Sequence, residues 1–231
     1  LVPGLAGEGA KLVQATRSMC APARGLSVLN ERYVHTVAWA KNCMALSESV
    51  LGYVSESPSI RYVVLSSPFM QLLKPDDSDE GLLVRRDHAF LREKRSVDTA
   101  LSALLATASE LRRAGKKVIV IAPPPLTGTD FGRCFERSVR GLRTLGVLDG
   151  CVFPESIADE YQREVLELLR RLDENGVPVI DLRPALCEGG MCRISIDGLP
   201  IYRDSGHLSV AGSEFLGKRM HWLERIKAEA R

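Results

Sequence analysis

Four short aliphatic runs interrupt the chain, and each is continuous rather than alternating. They are "KLVQAT" at 11–16, "RYVVLSS" at 61–67, "KKVIVIAPPP" at 116–125 and "VPVIDLR" at 177–183. Continuous runs of this length are the pattern of parallel strands buried on both faces. Between them, apolar residues recur at helical spacing. Residues 29–54 carry Tyr33, Val37, Ala40, Met44 and Val50; residues 88–114 carry Phe90, Leu91, Val97, Leu101, Leu104, Leu105 and Leu111. Residues 155–175 carry Ile157, Tyr161, Val165, Leu168, Leu169 and Leu172, and a last helix is expected from about 209 to 229. Gly115 and Asn175-Gly176 fit helix ends closed by a left-handed residue.

Strand alternating with helix predicts a doubly wound parallel sheet with right-handed crossovers. Ligands of such sheets sit beyond the carboxyl ends of the strands. That points to the loops at 17–28, 66–80, 122–133 and 184–207. "LVPGLAGEG" at 1–9 reads as the end of a helix, so the strand that should open the sheet is expected upstream of Leu1. "KPDDSDEG" at 74–81 reads as a polar surface loop. At 231 residues the whole chain, 1–231, fits one α/β domain.

Charge and composition narrow the function classes. The net charge is +2 and no basic tract is long, which argues against nucleic acid as the ligand. No uncharged apolar run reaches the ~18 residues of a membrane span. No signal peptide is visible, and Leu1-Val2-Pro3 reads as the interior of a longer protein. Six cysteines form three sequence-near pairs, Cys20/Cys43, Cys134/Cys151 and Cys187/Cys192, among fifteen possible pairings. Nearest-neighbour disulfides would each contribute roughly 2–3.5 kcal/mol by loop closure and would indicate an oxidising compartment. Six reduced thiols in a cytosolic protein are the alternative. A zinc site is disfavoured, since there is no Cys-x-x-Cys and the histidines are scattered.

The candidate chemistry lies in "YRDSGHLS" at 202–209. Asp204 and His207 are three apart on a Ser-Gly bend just before the last helix. A carboxylate that fixes the imidazole tautomer and stabilises the cation makes histidine a useful base at neutral pH. The plainer reading is that Asp204 caps the helix and His207 is a solvated side chain.

The block "IYRDSGHLSVAGSEFLG" at 201–217 resembles the SGNH/GDSL hydrolase superfamily, in which this Asp and His are the acid and base of a Ser-His-Asp triad. The closer resemblance is to the SGNH domain fused behind acyltransferase-3 membrane domains, the bacterial glycan O-acetyltransferases. Tyr202, Asp204, His207, Leu208 and Ser209 match that family's last block, with Ala211-Gly212 in its small positions. "SMCAPARG" at 18–25 is similar to its Cys-x-Pro segment, "VIVIAPPP" at 118–125 to its central strand, and Cys187 and Cys192 to the cysteine pair before its final block. The resemblance implies a three-layer α/β/α, flavodoxin-like SGNH sandwich and the three disulfides Cys20–Cys43, Cys134–Cys151 and Cys187–Cys192. It implies acetyl transfer through a serine ester from an acetylated donor to a cell-envelope glycan such as lipopolysaccharide O-antigen. Acetyl-ester hydrolysis would be a side reaction, with no cofactor and no metal. It also implies a monomeric periplasmic domain behind an inner-membrane acyltransferase-3 domain in the same chain.

Two departures qualify the resemblance. No Gly-Asp-Ser occurs in the sequence; Asp77-Ser78 and Asp204-Ser205 are its only Asp-Ser steps. The nucleophilic serine is therefore expected just upstream of Leu1, and residues 1–231 alone should be nearly inert. The Gly-x-Asn-Asp block that helps hold the oxyanion is also missing. The third-strand end reads Ser66-Ser67-Pro68-Phe69, with Phe69 where the fused family carries an aromatic. The backbone N–H groups of Ser18 and Met19 are the expected oxyanion donors. A domain that never had a nucleophile, serving as a non-catalytic glycan-binding or partner-positioning module, is the alternative. Among other residues, His35 and His88 are read as surface or interface histidines on helical stretches, and His221 as packing beside Trp222. Ser209 is read as a helix cap, Arg203 as exposed, Trp39 and Trp222 as core, and Pro123-Pro124-Pro125 as stiffening a cleft wall.

Overall fold

A computed structural model describes residues 10–32, 34–73, 80–143 and 151–230. Tyr33, the segment "LVPGLAGEG" and most of the polar loop at 74–81 lie outside the described residues. In chain order the first half runs β1 (Leu26–Asn30), α1 (Val37–Glu56), β2 (Tyr62–Ser66), β3 (Glu80–Arg86), β4 (Ala89–Glu93), α2 (Val97–Arg113) and β5 (Lys117–Ile121). It continues with α3 (Phe131–Val139), β6 (Phe153–Pro154), α4 (Glu155–Tyr161), α5 (Arg163–Glu174), β7 (Val179–Ile180), α6 (Arg183–Leu186), β8 (Cys187–Glu188) and β9 (Met191–Cys192). The end of the chain gives β10 (Ser195–Ile196), β11 (Leu199–Pro200), α7 (Val210–Arg219) and α8 (Trp222–Glu229). These fall into two compact units. A sheet unit takes Gln14–Ala122, Glu164–Ile180 and Glu229–Arg231, and a motif unit takes Leu1–Val13, Pro123–Arg163 and Asp181–Ala228.

In the sheet unit, β2, β5 and β7 form a three-strand parallel sheet in that order, with Val63 opposite Val118 and Val120 opposite Val179. Val118, Ile119, Val120 and Ile121 are all buried, as a central strand covered on both faces requires. Leu101, Leu104 and Leu111 of α2 and Leu168, Leu169 and Leu172 of α5 pack with Val118 and Val120 in one core. Ser96 caps α2, and Gly115 (φ +75°) and Gly176 (φ +79°) follow α2 and α5 in the left-handed region, as expected. Lys116 is buried because its ammonium donates to the carbonyls of Ser57 and Ile60, at 2.7 and 2.9 Å, just past the end of α1. The Cys20–Cys43 disulfide ties the 17–20 turn to α1.

Several boundaries differ from the sequence reading. Residues 11–16 are not a strand: they have no regular structure and are exposed, Val13 by 60%. They pair with none of the described strands, and the strand that precedes α1 is instead β1. The stretch 80–93, partly assigned to a helix from 88, is the β3–β4 hairpin, to which β1 adds antiparallel with Leu26 opposite Val84. His88 thus sits in an exposed two-residue turn beside Asp87 (φ +54°) rather than on a helix. The helix at 155–175 is two helices meeting at Gln162, and the last helix breaks at Met220-His221, where His221 is exposed with φ +49°. Trp222 is buried as expected, and Trp39 packs at the margin of the core. Among the described residues no helix is long and apolar enough to cross a membrane.

Candidate active site

The motif unit shapes a tight turn around Asp204 and His207. Tyr202 and Leu208 bridge antiparallel, Arg203 N–H donates to the His207 carbonyl at 2.9 Å, and Ser209 N–H to that of Ile201 at 2.8 Å. Inside the turn, Asp204 Oδ1 accepts the backbone N–H of Gly206 and of His207, each at 2.9 Å. Aspartate is suited to this position because its short side chain can imitate a backbone turn. The same carboxylate takes the imidazole: His207 Nδ1 stands 2.8 Å from Oδ1 and 3.0 Å from Oδ2. Arg203, itself exposed, adds its Nε at 3.0 Å to Oδ2.

This arrangement sets both charge and tautomer. Partial burial pushes the Asp204 carboxyl upward, but the Gly206 N–H, His207 and Arg203 together outweigh it and hold the group down at about 2. Asp204 is therefore an anion at any physiological pH. An ionised carboxylate can only accept, so His207 donates from Nδ1, and Nε2 of the neutral ring carries the lone pair. The His207 side chain is 63% exposed, so a hydroxyl can reach it.

The turn rests on rigid neighbours. Tyr202 is buried and its hydroxyl donates to the Pro125 carbonyl at 2.8 Å. Its ring meets Phe131 edge-on at 5.0 Å, and Phe131 stacks on Phe153 at 4.5 Å. Pro123, Pro124 and Pro125 are buried. Three consecutive prolines offer no N–H, so this loop is held through its carbonyl acceptors and through the Leu126 amide. Buried Gln162 donates to the Pro124 carbonyl and accepts from Leu126 N–H. Ser209 caps α7 by accepting from Gly212 N–H at 2.8 Å, as the sequence suggested. Gly212 lets α7 approach the backbone of Ile201, since a Cβ there would lie 2.4 Å from the Ile201 carbonyl oxygen. Two disulfides brace the unit, Cys134–Cys151 from α3 and Cys187–Cys192 across the β8–β9 hairpin.

The other candidate residues belong to the sheet unit. Ser18 and Met19 occupy an exposed turn of the sheet unit closed by Cys20 N–H to the Arg17 carbonyl, with Met19 left-handed at φ +63°. Phe69 is fully buried in the sheet-unit core. His35 packs edge-on against Trp39 at 4.5 Å; burial and the nearby Arg95 both lower its basicity, outweighing Glu80. Neither Gln162 nor the backbone approach of Gly132 and Gly212 was found from sequence. Among the described residues no three His, Cys, Asp or Glu side chains gather as a metal site.

The family model described as "SGNH domain (fused to AT3 domains)" matches residues 2–221. Among solved structures, the periplasmic domain of the lipopolysaccharide acetyltransferase of Salmonella ser. Paratyphi A superposes with a TM-score of 0.51 at 17% identity. That match covers 78% of this chain and 62% of the Salmonella chain. Comparison with curated protein sequences gave no match.

Proposed function

The chain belongs to the family of SGNH domains fused to AT3 domains, and from that premise we propose that it transfers an acetyl group to a hydroxyl of a cell-envelope glycan through a serine ester. The observation that carries the reading is the Asp204–His207 geometry, which orders the ring for base catalysis at Nε2. The serine is proposed to come from sequence preceding Leu1, since the 231 residues hold no Gly-Asp-Ser. Its hydroxyl attacks the acetyl carbonyl of the donor while Nε2 takes the proton. Asp204 offsets the charge of the imidazolium, which then protonates the leaving group. A glycan hydroxyl next gives its proton to Nε2 and attacks the acyl-enzyme, forming the acetyl ester and restoring the serine. Water in place of the sugar gives esterase activity. Ser18 and Met19 N–H are the proposed oxyanion donors.

The substrate class rests on family membership and on the similar Salmonella fold. A lipopolysaccharide-type glycan met in the periplasm, with an acetyl group supplied by an AT3 membrane domain of the same protein, is the proposed setting. Three disulfides suit that oxidising compartment. The absence of Gly-x-Asn-Asp from the sequence favours a second reading, a non-catalytic glycan-binding module. The test is transfer of labelled acetyl from donor to purified O-antigen by the chain extended upstream through a Gly-Asp-Ser block, alone and with its membrane domain. Transfer that is lost in His207→Ala supports the proposal. No transfer and no acetyl-ester hydrolysis, with retained glycan binding, would establish the second reading.

A further inference from the structure

Gly132 is the second residue of α3, and its φ is not left-handed, so no backbone conformation demands glycine there. Space does. A Cβ on Gly132 would lie 1.8 Å from the carbonyl oxygen of Arg203, 2.6 Å from its carbonyl carbon and 3.3 Å from the amide nitrogen of Asp204. Real Cβ atoms essentially never come within 3.0 Å of another heavy atom, and the two Arg203 atoms inside that limit are backbone, so no rotamer change can relieve the clash. Gly52 in α1 is the contrast: a Cβ there meets nothing within 4 Å.

The start of α3 is also tied to its neighbours. Phe131 is clamped between Phe153 and Tyr202, and Cys134 is tied to Cys151. A methyl at 132 would therefore force the start of α3 and the 203–204 backbone apart by on the order of 1 Å. The Asp204 carboxylate, which orients His207, stands on that backbone.

We infer that Gly132 is a positioning residue for the acid–base pair: by letting α3 touch the Arg203–Asp204 peptide, it sets where the carboxylate and hence the imidazole stand. The inference rests on the catalytic reading of Asp204 and His207. A displacement near 1 Å costs an enzyme about 10²-fold in rate. In the full-length protein Gly132→Ala should lower kcat by about that factor, with KM changed less than about twofold.

Long-range proton–nitrogen NMR of the His207 ring tests the positioning in this chain without the nucleophile. Wild type and Gly52→Ala should show protonation at Nδ1, and Gly132→Ala a mixture of tautomers. An unchanged Nδ1–H pattern in a cooperatively melting Gly132→Ala overturns the inference. Should that variant fail to fold, Phe131→Leu, which withdraws the ring from Tyr202, is measured instead; mixed tautomers support the inference and an unchanged ring overturns it. A tautomer shift together with an inactive wild-type full-length protein would reject the catalytic reading while leaving the positioning intact.

Discussion

Oδ1 of Asp204 serves His207 twice, accepting its ring Nδ1–H at 2.8 Å and its backbone N–H at 2.9 Å. One oxygen thus fixes both the fold of the turn and the orientation of the imidazole. The two roles can be separated by substitution.

Asp204→Asn keeps an oxygen that can accept the Gly206 and His207 amides but lacks the charge. Melting should stay within a few degrees of wild type, while kcat of the active extended protein falls on the order of 10⁴-fold. Asp204→Ala removes the turn as well and should cost a further ~1–2 kcal/mol of stability. Paired thermal melts and ester-hydrolysis rates check both.

Acid should weaken the fold through the same carboxylate. Its folded value, about 2, lies below the ordinary 3.8. The stabilisation it contributes is complete above ~3.8 and is lost as pH falls toward ~2, because the unfolded chain binds the proton first. Urea titrations of wild type and Asp204→Asn should converge across that window. A difference in stability that stays constant from pH 6 to pH 2 would contradict the charge argument.

Tyr202→Phe should cost about 1–3 kcal/mol in chemical denaturation, since it leaves the buried Pro125 carbonyl without its donor. A neutral substitution would show that the hydroxyl adds nothing beyond ring packing.

Gly212→Ala should destabilise by about 1–3 kcal/mol through overpacking, because its methyl would meet the carbonyl oxygen and Cα of Ile201 at 2.4 and 2.7 Å. The same change at Gly52 should be neutral or slightly stabilising. Denaturation midpoints of the two variants make the comparison.

The parts of the fold with a strong one-dimensional signal were legible. The continuous runs at 62–66 and 117–121 became the parallel strands β2 and β5, and the glycine stops after α2 and α5 fell where left-handed residues were needed. The β3–β4 hairpin was missed because its turn, Asp87-His88, has neither Gly nor Asn, and Phe90 and Leu91 fit a helical register with Val97. "KLVQAT" has the composition of a strand but no partner among the described strands. Asp204 and His207 were legible because the turn that joins them is local. Gly132 was not, for its reason to be glycine lies 71 residues away at Arg203.

Active-site labelling addresses the proposed acid–base pair most directly. The full-length protein is treated with a fluorophosphonate, and the modified residue is read by mass spectrometry. A single serine preceding Leu1 should be labelled, and His207→Ala should suppress that labelling by at least ~10²-fold. Equal labelling in His207→Ala, or none in the wild type, would contradict the assignment of His207 as the base.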